Sequence, residues 1–474
     1  MSIFKHFING EWHASSQTRP NHNPSQPNQV VGEYAEASAD DVALAVQAAR
    51  QAATVWGRST PQQRFDVLDF IGSEILARKQ ELGHLLASEE GKVLPEAIGE
   101  VSRAGFIFKY FAGEALRMGG QALASVRPNM EVLTSREAVG VVGLITPWNF
   151  PIAIPAWKAA PALACGNSVI LKPSELTPGC AWALAEIISR SGLPKGAFNL
   201  VMGDGVAGRA MVEDPHVDAI SFTGSVQTGK LIAQHCALHM KKYQLEMGGK
   251  NPLVILDDAD LNIAVECAVN GAFFSTGQRC TASSRTIVTE GIYQRFAEAM
   301  LERTRKLKVG DAVAPNTQIG PVVDQRQLDK NLRYVAIGTE EGGQLLCGGE
   351  RLAGDGFFFS PAIIENHNPQ ARLNQEEVFG PVSTLIRVKD FDEAIAVANA
   401  TPYGLSGGIC TSSLKYATQF RKDMQAGMVM VNAPTAGVDY HVPFGGSKAS
   451  SFGPREQGNM AVEFYTKVKT HYIA

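Results

Sequence analysis

Ala138-Val-Gly-Val-Val-Gly-Leu-Ile-Thr-Pro-Trp-Asn-Phe-Pro-Ile-Ala-Ile-Pro-Ala-Trp157 runs for twenty residues without a charge. A helix of that length would span a bilayer. Pro147, Pro151 and Pro155, with Gly140, Gly143 and Asn149, interrupt it, and each break would free backbone groups that lipid cannot satisfy. The stretch instead predicts a buried strand over 138–145, a turn, and a buried helix over 152–164. The alternation then repeats. Residues 168–172 read as a strand, 178–191 as a helix, 198–202 as a strand, and the stretch to Glu213 as a short helix. Residues 219–223 form a further strand, with a helix after Gly224. Strands alternating with helices of about 10–15 residues predict a parallel sheet with crossover helices. Such sheets bind ligands beyond the carboxyl ends of their strands.

On the N-terminal side, residues 40–120 read as helical, with Ala and Leu at helical spacing. Thr60-Pro61 resembles an N-cap followed by Pro at the first helical position. On the C-terminal side a second alternating run starts near Asn251-Pro252. A strand over 253–256 and a helix over 260–274 open it, and βα pairs continue to about residue 432. The fold class is therefore α/β, with two α/β units. Two pieces fit neither unit: a β-ribbon over 123–136 and a terminal strand over 462–473. Both read as strand edges awaiting a partner chain.

The chain has 474 residues, more than one core usually serves. Lys and Arg number 43 against 47 Asp and Glu, a net charge of −4, with no electrostatic footprint for nucleic acid or an acidic membrane. Seven cysteines, an odd number with no C-x-x-C pair, point to free thiols in a reducing, cytoplasmic compartment and to no metal. Met1-Ser-Ile-Phe-Lys-His-Phe7 lacks the apolar core of a signal peptide.

Several segments carry chemistry. Cys280 lies in Ser275-Thr-Gly-Gln-Arg-Cys-Thr-Ala-Ser-Ser284, after a helix and among small polar residues. A lone cysteine is commonly a small core hydrophobe. This polar setting, with Arg279 adjacent, favours a nucleophilic thiolate instead. Glu246, in Tyr243-Gln-Leu-Glu-Met-Gly-Gly-Lys250, ends an apolar strand. It is either a strand-end surface carboxylate or, if buried, a general base with raised pKa. Asn149, in the proline-braced turn, is either a turn former or a rigid amide donor to an oxyanion. Phe222-Thr-Gly-Ser-Val-Gln-Thr-Gly229 sets a glycine where a strand passes into a helix, which lets a pyrophosphate approach the helix N-terminus.

In order and content these segments resemble the aldehyde dehydrogenase superfamily. The resemblance runs from Ile8-Asn-Gly-Glu-Trp12 through Thr146-Pro-Trp-Asn-Phe-Pro151, Lys172-Pro-Ser-Glu175, Phe222-Thr-Gly-Ser225, Glu246-Met-Gly-Gly-Lys250, Gly277-Gln-Arg-Cys280 and Glu377-Val-Phe-Gly-Pro381 to Pro443-Phe-Gly-Gly-Ser-Lys448. It implies an aldehyde dehydrogenase-like fold: two Rossmann-like parallel-sheet domains plus a small β oligomerisation element. Residues 1–120 and 139–248 would bind NAD(P), 249–461 would form the catalytic domain, and 121–138 with 462–474 the oligomerisation ribbon and tail of a homodimer or homotetramer. It implies that Cys280 is the nucleophile, Glu246 the base, and Asn149 part of the oxyanion hole. Ile145, Thr146, Pro147 and Trp148 would line the cofactor cleft. Lys172, Ser174 and Glu175 would meet the adenosine ribose, Gly224 and Ser225 the pyrophosphate, and Met247, Glu377 and Phe379 the nicotinamide half. Met247 replaces the family's usual Leu. Glu175 would accept from a ribose 2′-hydroxyl and repel a 2′-phosphate, so NAD is expected, with NADP use detectable.

Phe150, Ile154 and Trp157 share one helical face. That face is either core or, by the resemblance, the wall of a substrate tunnel with Phe444, flanked by Arg279 and Thr281. The run from Gly143 to Lys158, with Gly179-Cys-Ala-Trp-Ala-Leu-Ala-Glu-Ile-Ile188, most resembles 2-oxoglutarate semialdehyde (2,5-dioxopentanoate) dehydrogenases. Succinate-semialdehyde enzymes often carry Arg where this chain has Trp157, so a carboxylate anchor must come from elsewhere. Arg279 is the nearest cation in sequence, and Arg285 the second. Two other readings share the fold: a CoA-acylating semialdehyde dehydrogenase, a branch that usually lacks the glutamate at 246, and a non-catalytic scaffold, which would not need Cys280, Glu246 and Asn149 together.

Overall fold

The computed structural model describes residues 3–474. Val141–Ile145 is a buried strand that pairs in parallel with Ser168–Lys172 on one side and Ala219–Thr223 on the other. The chain moves outward through Ser168–Lys172 to Phe198–Leu200, then returns past its start to Ala219–Thr223 and Lys242–Glu246. The direction of winding therefore reverses between Val141–Ile145 and Ala219–Thr223. Helices leaving these two strands cover opposite faces, which opens a crevice at their carboxyl ends. The helix Ala153–Ala164 is buried along its whole length, which explains why no polar face was legible in it.

Helices Ala39–Gly57, Pro61–Ala77, Lys79–Glu90 and Leu94–Ala115 fill the N-terminal stretch. Thr60 caps the second. Its side chain accepts from the Gln63 amide, Gln63 returns the bond, and Pro61 takes the first position. The second unit is a seven-stranded sheet around Asn251–Ile255 and Ser283–Thr289. It is parallel except for its edge strand Gln344–Cys347. Among the described residues, no helix is long and apolar enough to cross a membrane.

Four features depart from the sequence reading. First, Ile3–Phe4, Gln17–Asn23 and Gln26–Glu36 form an unforeseen three-stranded sheet. Gln17–Asn23 has no apolar alternation and contains Pro20, which only an edge strand tolerates. Second, the ribbon and the tail are not two separate open edges. Glu131–Ala138 pairs along its length with Thr466–Ile473, from Ala138 opposite Thr466 to Glu131 opposite Ile473. Third, Val462–Tyr465 is a helical turn, so the tail strand begins at Thr466. Fourth, Ser451–Phe452, counted with the second unit, pairs antiparallel with Lys242–Glu246 in the first sheet. Residues near the C-terminus thus close over the carboxylate of Glu246.

Candidate active site

A cleft of about 610 Å³ opens at the winding reversal. Ile145, Thr146, Pro147 and Trp148 form one wall, Lys172, Ser174 and Glu175 another, and Thr223, Gly224 and Ser225 a third. Ser225 caps the helix Val226–Leu238, its Oγ accepting from the Thr228 amide at 3.2 Å. That helix start borders the cleft, where partial positive charge favours an anion. A side chain at Gly224 would collide with the Phe222 ring. Thr146 Oγ1 and Thr223 Oγ1 are buried there without partners. Lys172 Nζ donates to the Gly203 carbonyl at 2.8 Å and lies 3.8 Å from Glu175.

The cleft continues into a narrower cavity of about 220 Å³, whose wall holds Asn149, Glu246 and Cys280 together with Ile154, Trp157, Met247, Glu377, Phe379 and Phe444. The Cys280 loop follows the helix Leu261–Phe273 through a tight turn with positive φ at Ser275, Thr276 and Gly277. A side chain at Gly277 would collide with the Gly380 carbonyl. The loop is pinned on several sides. Gln278 Oε1 accepts from the Val323 amide at 3.0 Å, and the Gln278 carbonyl accepts from Asn149 Nδ2 at 3.0 Å. The Cys280 carbonyl accepts from Asn251 Nδ2 at 2.7 Å.

Arg279 turns away from the cavity. Its Nε donates to the Phe274 carbonyl at 2.9 Å and its Nη2 to the Asn270 carbonyl at 2.7 Å. It therefore satisfies the open carbonyls at a helix C-terminus and is not on the cavity wall. Burial, followed by the negative fields of Glu377 and Glu246, pushes the Cys280 thiol up to about 12. At neutral pH the thiol is protonated and needs a base.

Glu246 ends its strand in a buried position. Ser451 Oγ donates to its Oε2. Burial and then nearby Glu456 hold its carboxyl well above the usual carboxylate range. Asn149 is held by its backbone as well as its side chain: its carbonyl accepts from Lys92 Nζ at 2.7 Å. Lys92 is paired with Glu100 at 2.6 Å. The other Glu100 oxygen accepts from the Ile152 and Ala153 amides, 3.2 Å each, so it caps the start of the helix Ala153–Ala164. Glu377 Oε1 accepts from the Gly249 amide at 2.9 Å. Phe379, at φ 64°, meets Trp148 edge-on at 5.3 Å. Trp157 stacks on Phe444 at 5.5 Å.

Phe150 and Thr281 do not line this cavity. Phe150 packs beneath Lys92 Nζ, 3.9 Å from its ring centre, and the Thr281 carbonyl accepts from Thr435 Oγ1 at 2.6 Å. Arg285 is spent on the carbonyls of Lys250, Val397 and Ala398. Ser451, Lys92, Glu100 and the wall residue Lys330 were not anticipated, and Gln278 was read only as part of its motif. Only Glu100 carries a sequence signal. It is a charge on the apolar stripe Ala97–Val101–Ala104–Phe108 of its helix, where an unpaired carboxylate would be costly.

Comparison with known proteins places this geometry. The sequence profile described as "Aldehyde dehydrogenase family" matches residues 12–471. An alpha-ketoglutaric semialdehyde dehydrogenase of Bacillus subtilis is 43% identical, covering 100% of this chain and 98% of its own. A 2,5-dioxopentanoate dehydrogenase of Saccharolobus solfataricus is 40% identical, covering 95% of each chain. Among solved structures, a Staphylococcus aureus betaine aldehyde dehydrogenase in complex with NAD+ superposes with a TM-score of 0.96 at 36% identity, covering 99% of this chain and 94% of its own. With a full-length match, a shared fold and a cysteine facing a buried carboxylate-lined cavity, this chain belongs to the aldehyde dehydrogenase family.

Proposed function

We propose that this enzyme uses NAD to oxidise a short aldehyde bearing a distal carboxylate, 2,5-dioxopentanoate first and succinate semialdehyde second, to the acid. The observation that carries the reading is Cys280, Glu246 and Asn149 on one cavity wall, continuous with the cleft at the winding reversal. That cleft suits a dinucleotide: its unpartnered threonine hydroxyls, its helix N-terminus and Glu175 match a pyrophosphate flanked by ribose hydroxyls. The relatives named for this semialdehyde support the substrate.

The residues then divide the work. Glu246 accepts the Cys280 proton as Sγ attacks the aldehyde carbon, giving a thiohemiacetal. The second Asn149 Nδ2 hydrogen and the Cys280 amide face the developing oxyanion; each such donor contributes roughly 3 kcal/mol of barrier lowering. NAD, when bound, supplies the hydride acceptor. Loss of hydride from the thiohemiacetal carbon leaves a thioester on Cys280. Glu246, having lost that proton to solvent, removes a proton from water, which attacks the thioester and releases the acid, and the proton passes from Glu246 to the departing Cys280 thiolate. No CoA is required, which separates this reading from the acylating branch.

The test is NAD(P)H formation without CoA from 2,5-dioxopentanoate, succinate semialdehyde and pentanal. We expect kcat/KM to favour 2,5-dioxopentanoate over pentanal by about tenfold or more, since an anchored charge is rewarded and an unanchored one rejected. NAD should outperform NADP. Better turnover of pentanal, an absolute need for CoA, or a tenfold advantage for NADP would each overturn the corresponding part.

The chain is also proposed to form a homodimer or homotetramer. Its three-stranded sheet leaves the outer edge of Thr466–Ile473 open and exposes Leu123, Val468, Tyr472 and Ile473, an apolar strand surface that invites pairing. Light scattering at micromolar concentration should give a multiple of the 50.9 kDa chain mass, and a monomer would refute it. The seven unpaired thiols suit a reducing, cytoplasmic setting.

A further inference from the structure

We propose that Arg103, on the helix Leu94–Ala115, is the anchor for the substrate's distal carboxylate, working with the side-chain N–H groups of Trp157 and Gln457. The inference rests on the reading that the substrate is a carboxylate-bearing aldehyde, and it supplies the cation that the apolar wall of Ile154, Trp157 and Phe444 lacks.

Four of the other cations near the cavity are committed. Arg279 and Arg285 are spent on backbone carbonyls. Lys92 is paired with Glu100, and Lys158 with Glu456. Lys330 is on the cavity wall and Lys250 Nζ is buried without a hydrogen-bond partner; both lie in the field of Glu377. Arg103 differs from all of these. Its guanidinium lies over the Trp157 ring, 5.6 Å from the centroid, one residue behind the cavity wall to which Trp157 belongs. Its one side-chain hydrogen bond is neutral, from Nη2 to Gln457 Oε1 at 3.1 Å. Glu100 and Asp439 are near enough to bias its charge, as is Cys280, yet among the described residues no carboxylate lies within ion-pair distance of it. Burial opposes its charged form.

Around this guanidinium the unmatched groups are all donors. Arg103 Nε, Trp157 Nε1 and Gln457 Nε2 are buried without acceptors. A carboxylate is the complementary group, because it only accepts and offers about four lone-pair sites. The planar guanidinium suits it better than an ammonium would, giving two parallel charge-assisted bonds. An uncharged aldehyde of the same length would leave these donors unmatched, so the cluster selects for the charged substrate.

The experiment compares two matched pairs, 2,5-dioxopentanoate with pentanal and succinate semialdehyde with butanal, on wild type, Arg103→Gln and Arg103→Lys. For Arg103→Gln we expect kcat/KM on the acids to fall roughly 30- to 1,000-fold, mainly through KM, as for truncating one partner of a buried charge pair. The loss on pentanal and butanal should stay below about threefold, and NAD binding should be unchanged. Arg103→Lys should recover part of the loss. Equal losses on charged and uncharged aldehydes, or a variant that keeps the wild-type preference for acids, would overturn the anchor while leaving the substrate reading intact. If wild type favours succinate semialdehyde and Arg103→Gln erases that preference over butanal, the named substrate fails and the anchor stands. A wild type indifferent to the charge overturns both.

Discussion

Cys280→Ala is expected to bind NAD normally and to lose essentially all dehydrogenase turnover. The fold should survive, because the loop is held by groups other than the thiol: the Cys280 carbonyl on Asn251, and Gln278 on Val323 and Asn149. The chemistry should not survive, because the other six cysteines are not on the cavity wall, and no hydroxyl near Glu246 matches a thiol as a nucleophile toward an aldehyde. A covalent intermediate splits one hard step into two easier ones, and alanine removes both. Steady-state NADH formation, with NAD binding followed by quenching of protein fluorescence, checks the result. Turnover above about one per cent of wild type would exclude Cys280 as the nucleophile.

Glu246→Gln should slow steady-state turnover by about 10²–10⁴-fold, the usual contribution of a positioned general base. The effect follows from the resting protonation of the pair. The thiol is pushed up to about 12, so almost none is thiolate at neutral pH. The Glu246 carboxyl is itself raised by burial and by Glu456. A raised acid is neutral, and inactive as a base, at pH values where an exposed carboxylate is already ionised. The kcat/KM of wild type should therefore climb with pH along a limb that lies above the ordinary carboxylate range. Glutamine has no such ionisation, so the limb should vanish in the variant. Because Glu246 also activates the hydrolytic water, rapid mixing should show NADH release outpacing acid release in the first turnover. An unchanged rate, or an unchanged pH limb, would remove Glu246 from the mechanism.

The features legible in the sequence are those written in neighbouring residues. Alternation from Val141 to Thr223 dictates strands and crossover helices, since burial on both faces of a parallel sheet demands continuous apolar runs. Two prolines around Asn149 dictate a rigid turn at a strand end. The polar loop around Cys280, after an apolar helix, is also local. The strand Gln17–Asn23 was illegible for the converse reason: a polar edge strand with a proline owes its existence to its partner Gln26–Glu36, not to its own pattern.

The two arginines show where local information ends. Arg279 is adjacent to Cys280 in sequence, yet the left-handed turn at Ser275–Gly277 directs it back onto the unpaired carbonyls of the preceding helix. Arg103 is remote in sequence, and the crossing of its helix with Ala153–Ala164 brings it over Trp157. Ser451 reaches Glu246 only because a C-terminal strand joins the first sheet. By itself the sequence determined the family and the alternation of strands with crossover helices, and it proposed the reacting groups, all from short-range pattern. The tertiary structure alone decided which donor meets which acceptor and how far burial moves each titration, because both depend on the packing of segments distant in the chain.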